Sequence, residues 1–166
     1  MWLIVPSLAE GRILAISLFT RDTALAAPTQ APTIEELRQA PAVKQALEQA
    51  WTDSLPGDPE RRHEEGGWIY INLMTGELTA LRAATGLRAE LEIGDPPLLL
   101  DSVIVATFHT HPNPTSEGWN PGPSDVDEEV LQRLGVPGLI RADNGVSVAG
   151  PESRRGGLAG GPGFPL

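Results

Sequence analysis

The chain contains no cysteine among its 166 residues. Disulfides and thiolate ligands are therefore excluded, and any bound metal must be held by histidine and carboxylates. Basic residues are scarce, with 12 Lys and Arg against 22 Asp and Glu and a formal net charge of −10. With no basic stripe to neutralise phosphates, a nucleic-acid partner is not expected. The acidic balance favours solubility, and only weakly a substrate with a basic face. No apolar run approaches the roughly 20 residues of a membrane span, so no membrane partner is expected. Glycine and proline are plentiful, at 18 and 16, and gather in residues 112–123 and 150–166. The length fits one domain with one sizeable core.

The N-terminal segment reads two ways. Arg12 precedes a short apolar run, Ile13 to Phe19, and Ala24-Leu25-Ala26 resembles a signal-peptidase site. Glu10 within the would-be basic region, and the minimal length of the run, favour instead a strand pair, Trp2–Pro6 and Ile13–Thr20. A cytoplasmic location is the expectation, with secretion as the alternative. Residues 1–32 are then an N-terminal extension of a single domain spanning 1–150, and residues 26–33 a Pro-rich link.

Thr33-Ile-Glu-Glu36 has capping-box spacing and predicts a short helical turn. Pro41 opens a second helix in which Val43, Ala46, Leu47, Ala50 and Trp51 recur on one face, so that face packs on a core. The Leu55-Pro-Gly-Asp-Pro59 break ends it. Residues 67–72 and 77–83 predict two strands joined across Met74-Thr-Gly76. Residues 97–101 form another apolar run. Residues 103–109, almost all apolar or β-branched, predict a strand buried on both faces. After the Pro/Gly loop, Ser124 caps a helix reaching about Leu134, and Gly135 terminates it. Gly138–Ala142 and Val146–Ala149 predict a last strand pair across Asp143-Asn-Gly145. Residues 151–166 carry little to bury and are expected to form a flexible Gly/Pro-rich tail. The mixture predicts a layered α/β or α+β domain.

Chemistry concentrates where the buried strand ends, at His109-Thr-His111-Pro112. Side chains alternate along a strand, so the two histidines share a face while Thr110 points away, and Pro112 turns the chain aside. Two such imidazoles can converge on one cation. A third ligand is expected from the helix start, from Asp127, with Asp125 as the rival. Two histidines and one aspartate leave an open position for water, as a catalytic zinc requires. Moving protons needs a further carboxylate, from Glu64 or Glu65 ahead of Gly66-Gly67. His63 reads as a surface residue, and Trp119 as a lid anchor or a substrate contact.

These residues resemble the JAMM metalloprotease family, also called JAB or MPN domains, in its bacterial JAB-like branch. The family pattern of a glutamate, then His-x-His-Pro, then Ser-x-x-Asp is matched by Glu64, His109-Thr-His-Pro112 and Ser124-Asp-Val-Asp127. The resemblance covers roughly residues 60–150. It implies zinc on His109, His111 and Asp127, Glu64 as general base and Ser124 as an oxyanion stabiliser. It also implies a three-layer, mixed-sheet α/β domain of the MPN and cytidine-deaminase-like type. One departure stands out: residues 112–126 separate His111 from Asp127, about five more than the family pattern has. The excess falls in the Pro/Gly loop, where insertion costs little entropy.

The function implied is a zinc-dependent isopeptidase or peptidase acting on a peptide or ubiquitin-like protein substrate. Extended Gly-Gly conjugates are the preferred form, and the chain's own Leu158-Ala-Gly-Gly161 resembles such a tail. The alternatives are a JAB-like toxin or effector domain with another substrate, and a non-catalytic MPN scaffold. Scaffolds of this family usually lose the ligands that this chain retains. A nucleic-acid deaminase of the zinc type would want Cys ligands, which are missing.

Overall fold

A computed structural model describes residues 27–158 of the chain. The N-terminal strand pair, the signal-like segment, and Gly160 and Gly161 lie outside the described residues. Among these residues no helix is long and apolar enough to cross a membrane.

The described elements run α1 (Ile34–Gln39), α2 (Pro41–Asp53), β1 (Gly66–Asn72), β2 (Leu78–Arg82), β3 (Ser102–His111), α3 (Asp125–Leu134), β4 (Gly138–Ala142) and β5 (Gly145–Ala149). The strands form one mixed sheet in the order β2-β1-β3-β4-β5, with β3 and β4 parallel and every other pair antiparallel. The protein is thus a mixed α/β domain.

The expected capping box forms: Glu36 N–H donates to Thr33 Oγ1 at 3.3 Å, and Thr33 N–H to Glu36 Oε2 at 2.8 Å. Pro41 occupies the first turn of α2, which buries Val43, Leu47 and Ala50. Trp51 lies to one side of that face, with the Arg141 guanidinium 4.7 Å from its ring centroid. Below α1 and α2 lies the main core, with Ile69, Ile71, Val103, Val105, Ala106, Phe108 and Leu139. The opposite face of the sheet carries Trp68, Tyr70, Ile104 and Val136. There Leu131 of α3 packs with Ile140 and Ala149.

One irregularity decides what faces where. In the β1–β3 ladder Ile69 pairs with Ala106 and Tyr70 with Ile104, so Val105 is an extra residue with no partner. Upstream of this β-bulge the odd residues Val103 and Val105 face α1 and α2. Downstream the even residues Ala106 and Phe108 do so. The bulge therefore turns Thr107, His109 and His111 to the α3 side of the sheet. Strand alternation alone correctly pairs the two histidines, but it does not say which layer receives them.

The apolar run at residues 97–101 lies outside the strands; Leu98 and Leu100 are 84% and 85% exposed, and Tyr70 Oη donates to the Pro97 carbonyl at 2.7 Å. One expectation needs correction: residues 151–158 are not a loose tail. Ile34 N–H donates to Glu152 O at 3.0 Å, Arg155 N–H to Gly135 O at 2.7 Å, and Arg154 Nη1 to Ile104 O at 3.2 Å. Leu158 packs against the main core. Composition records how little this segment can bury, but not the carbonyls left open at a helix end and a strand, which its backbone and arginines satisfy.

Candidate metal centre

β3 delivers two of the residues that could hold a metal ion, and α3 the third. His109 Nε2 and His111 Nε2 lie 3.1 Å apart. Asp127 Oδ1 is 3.2 Å from the first and its Oδ2 3.6 Å from the second. One donor atom from each of the three residues falls within 4.8 Å of the others. Three ligands about 2.0–2.1 Å from a tetrahedral ion stand roughly 3.3 Å from one another. The spacing therefore suits a metal ion.

Asp127 is held there by its own helix cap. Ser124 N–H and Ser124 Oγ each donate to Asp127 Oδ2 at 2.7 Å, and Asp127 N–H donates to Ser124 Oγ at 3.1 Å. Burial works to raise the Asp127 pKa, but the hydrogen bond and charge of His109, with the Ser124 donors, outweigh it. The carboxyl ends well below its ordinary range, a ready anion. Asp125, the rival ligand, is exposed and outside the triad. Ser124 lines the cleft, but its hydroxyl hydrogen is given to Asp127. In this geometry it positions the ligand, and an oxyanion role requires the hydroxyl to turn.

The His111 pKa is lowered by burial and by the charge of His109, against the opposing pull of Asp127 and of the Gly122 and Pro121 backbone carbonyls. A neutral imidazole is the form that binds metal. Gly122 and Pro121 belong to the Pro/Gly loop, which therefore lies beside His111.

The structure separates the two candidate bases. Thr110 N–H donates to Glu65 O at 2.9 Å, and Glu65 N–H to Thr110 Oγ1 at 3.0 Å, extending the β1–β3 register past Gly66↔His109. Glu64 thus lies opposite His111 on the same face, and lines the cleft with the triad. Its pKa is raised to about 7, chiefly by burial, with the charges of Asp127 and Glu90 adding to the rise and that of His109 opposing it. Glu65 faces the other way, buried against His63 Nε2 at 3.0 Å, Thr85 Oγ1 at 3.0 Å and Arg82. His63 is a partner of that structural carboxylate and lies outside the cleft. Gly66 lets β1 approach β3 closely beside His109. A Cβ there would stand 2.4 Å from Phe108 O and 2.9 Å from His109 Cβ.

Sequence reading missed the framework around this centre. Arg62, with its side chain 3% exposed, donates twice to Glu117, at 2.8 and 3.2 Å. Arg88 reaches Glu117 at 3.4 Å and exchanges hydrogen bonds with buried Asn113 at 3.2 and 2.7 Å. These contacts pin the loop after Pro112, and Thr115 ties to Asp143 at 3.0 Å. Trp119 lines the cleft, 6.0 Å from Arg88. A charged residue on a loop carries no local signal of such burial.

Comparison of the chain with protein-family models, with curated proteins and with solved structures returns no match.

Proposed function

We propose that this protein is a zinc-dependent hydrolase of the JAMM type, cleaving peptide or isopeptide bonds, with ubiquitin-like conjugates among its substrates. One observation carries the reading. His109, His111 and Asp127 bring their donor atoms within 4.8 Å of one another, in the cleft that a buried glutamate, Glu64, also lines. The mixed sheet with helices on both faces supports the MPN-type architecture that the resemblance implies. Two imidazoles and a carboxylate suit zinc, and when bound it would polarise a substrate carbonyl and make a water acidic near neutral pH.

The chain's own residues supply the rest. Glu64, buried beside the triad, would take a proton from the attacking water and return it to the leaving nitrogen. Burial makes the carboxylate a stronger base than in water. Ser124 fixes Asp127.

The test is metal analysis of the purified protein, followed by incubation of the zinc-loaded form with ubiquitin-like fusions, isopeptide conjugates and unstructured peptides, each with and without chelator. About one zinc per chain and chelator-sensitive cleavage are expected. Absence of bound zinc refutes the metal centre. Zinc without cleavage of any of the three substrate types refutes the hydrolase.

A further inference from the structure

The cleft continues past the metal triad, and its far half has a different character. It encloses about 590 Å³, within the range of pockets that bury a small ligand. Asp127 is in the first turn of α3, Val130 about one turn on, and Leu134 about two turns on, roughly 10 Å along the helix axis. On the sheet side the lining runs from His111 and His109 down to Thr107. The wall opposite α3 is Leu91 and Ile93, from the segment between β2 and β3. Leu134 and Ile93 also pack on the Trp68 and Tyr70 cluster, so the inner end of the cleft is continuous with the core.

Charge sharpens the picture. The lining includes Glu64, Glu90 and Asp127 but no lysine or arginine. Among the inner lining residues Leu91, Ile93, Val130 and Leu134, a substrate carboxylate or phosphate would find no charged partner. A Gly-Gly segment would leave the space between Val130, Leu134, Leu91 and Ile93 unfilled.

We infer that this inner half is a specificity pocket for a bulky apolar side chain next to the cleaved bond, bounded by Leu91, Ile93, Val130 and Leu134. The inference rests on the metal-hydrolase reading above and deepens it. Glycine on the other side of the bond remains compatible with it. The chemistry recognised is an uncharged chain carrying an aliphatic or aromatic group, since the apolar walls offer an acidic group no lysine or arginine.

The experiment uses zinc-loaded full-length protein and three zinc-binding probes: acetohydroxamate, 4-methylpentanohydroxamate and succinic monohydroxamate. Calorimetry measures the affinity of each, and zinc uptake is measured on the same preparation. The branched apolar probe should bind about 10- to 100-fold tighter than acetohydroxamate, as expected for burying several methylene-sized groups. The acidic probe should bind more weakly than the apolar one. Val130→Asp, or Ile93→Asp on the opposite wall if the first does not fold, should shrink the ratio between apolar and acetyl probes to less than about threefold. Equal affinities, an acidic preference, or an unchanged ratio in a folded variant overturns the pocket and leaves the hydrolase standing. The apolar preference without peptide cleavage keeps the pocket and refutes the hydrolase. A preparation that binds no zinc refutes both.

Discussion

Relative to wild type, Glu64→Gln in the metal-free protein should differ in stability by a constant amount in acid and gain stability as pH rises through neutral. Folding moves this carboxyl from an ordinary value of 4.5 to about 7. At about 1.4 kcal/mol per pH unit, that rise amounts to about 3 kcal/mol. Below pH 4.5 the group is protonated in both folded and unfolded chains, so the full stability is present. As pH rises toward 7 the unfolded chain ionises first and the folded one resists, so stability is lost through that window and levels off above it. Glutamine, similar in shape and never charged, removes this dependence. The desolvation of its amide is a constant offset, so the readout is the pH-dependent part of the difference. For a chain of this size about 3 kcal/mol corresponds to roughly 6–12 °C in Tm. Thermal melts of both chelator-treated proteins from pH 4 to 9 should diverge between pH 5 and 8 by that order. A difference that stays flat across the range would show that Glu64 is solvated, and would remove the case for its tuned basicity. With zinc bound the divergence should shrink, because a nearby cation favours the ionised carboxylate.

Three further outcomes follow from the same geometry. His109→Ala and His111→Ala should each abolish zinc binding in elemental analysis, whereas Asp125→Asn should retain it; wild-type zinc at 1,000 times its Kd should add about 4 kcal/mol of stability. Zinc-loaded Glu64→Gln should keep its metal and lose about 10²- to 10⁴-fold in kcat, while Glu65→Gln should act through stability, costing about 1–3 kcal/mol by leaving His63, Thr85 and Arg82 short of an acceptor; a stable but inactive Glu65→Gln would reverse the two roles. Gly66→Ala should weaken zinc binding measured by competition with a chromogenic chelator, since its Cβ would press on Phe108 O and His109, and an unchanged affinity would show that the strands part without cost.

What was legible in the sequence followed local periodicity. Alternation along residues 103–109 placed both histidines on one face. Ser124 with Asp127 gave the helix cap that doubles as a ligand mount, and Asp-Asn-Gly at 143–145 gave the β4–β5 turn. The choice between Glu64 and Glu65 was not readable from spacing, because it depends on the β1–β3 register, a pairing between segments about 45 residues apart. The resemblance to a family motif pointed to Glu64, and the register supplies a physical reason for it. Residues 84–101 have no period at all, yet they supply Leu91 and Ile93 to the cleft and Leu87 and Gly86 to the Glu64 backbone. The burial of Arg62 is settled by Glu117, 55 residues away. The docking of residues 151–158 depends on carbonyls that earlier elements leave open.

The unpaired Val105 has a consequence for how this chain tolerates change in length. Substitutions at 103, 105, 106 and 108 are read by the helix layer, and those at 107, 109 and 111 by the cleft, so the same ten-residue strand answers to two separate selections. Deleting Val105 would close the bulge and restore strict alternation with those assignments intact, Phe108 still beneath the helices and both histidines still at the cleft. Deleting Thr107 or Phe108 instead would turn both histidines to the apolar floor beneath α2, where imidazoles have no partners. In a deletion scan Val105 should therefore be the most forgiving position of the strand, and the two residues ahead of His109 the least.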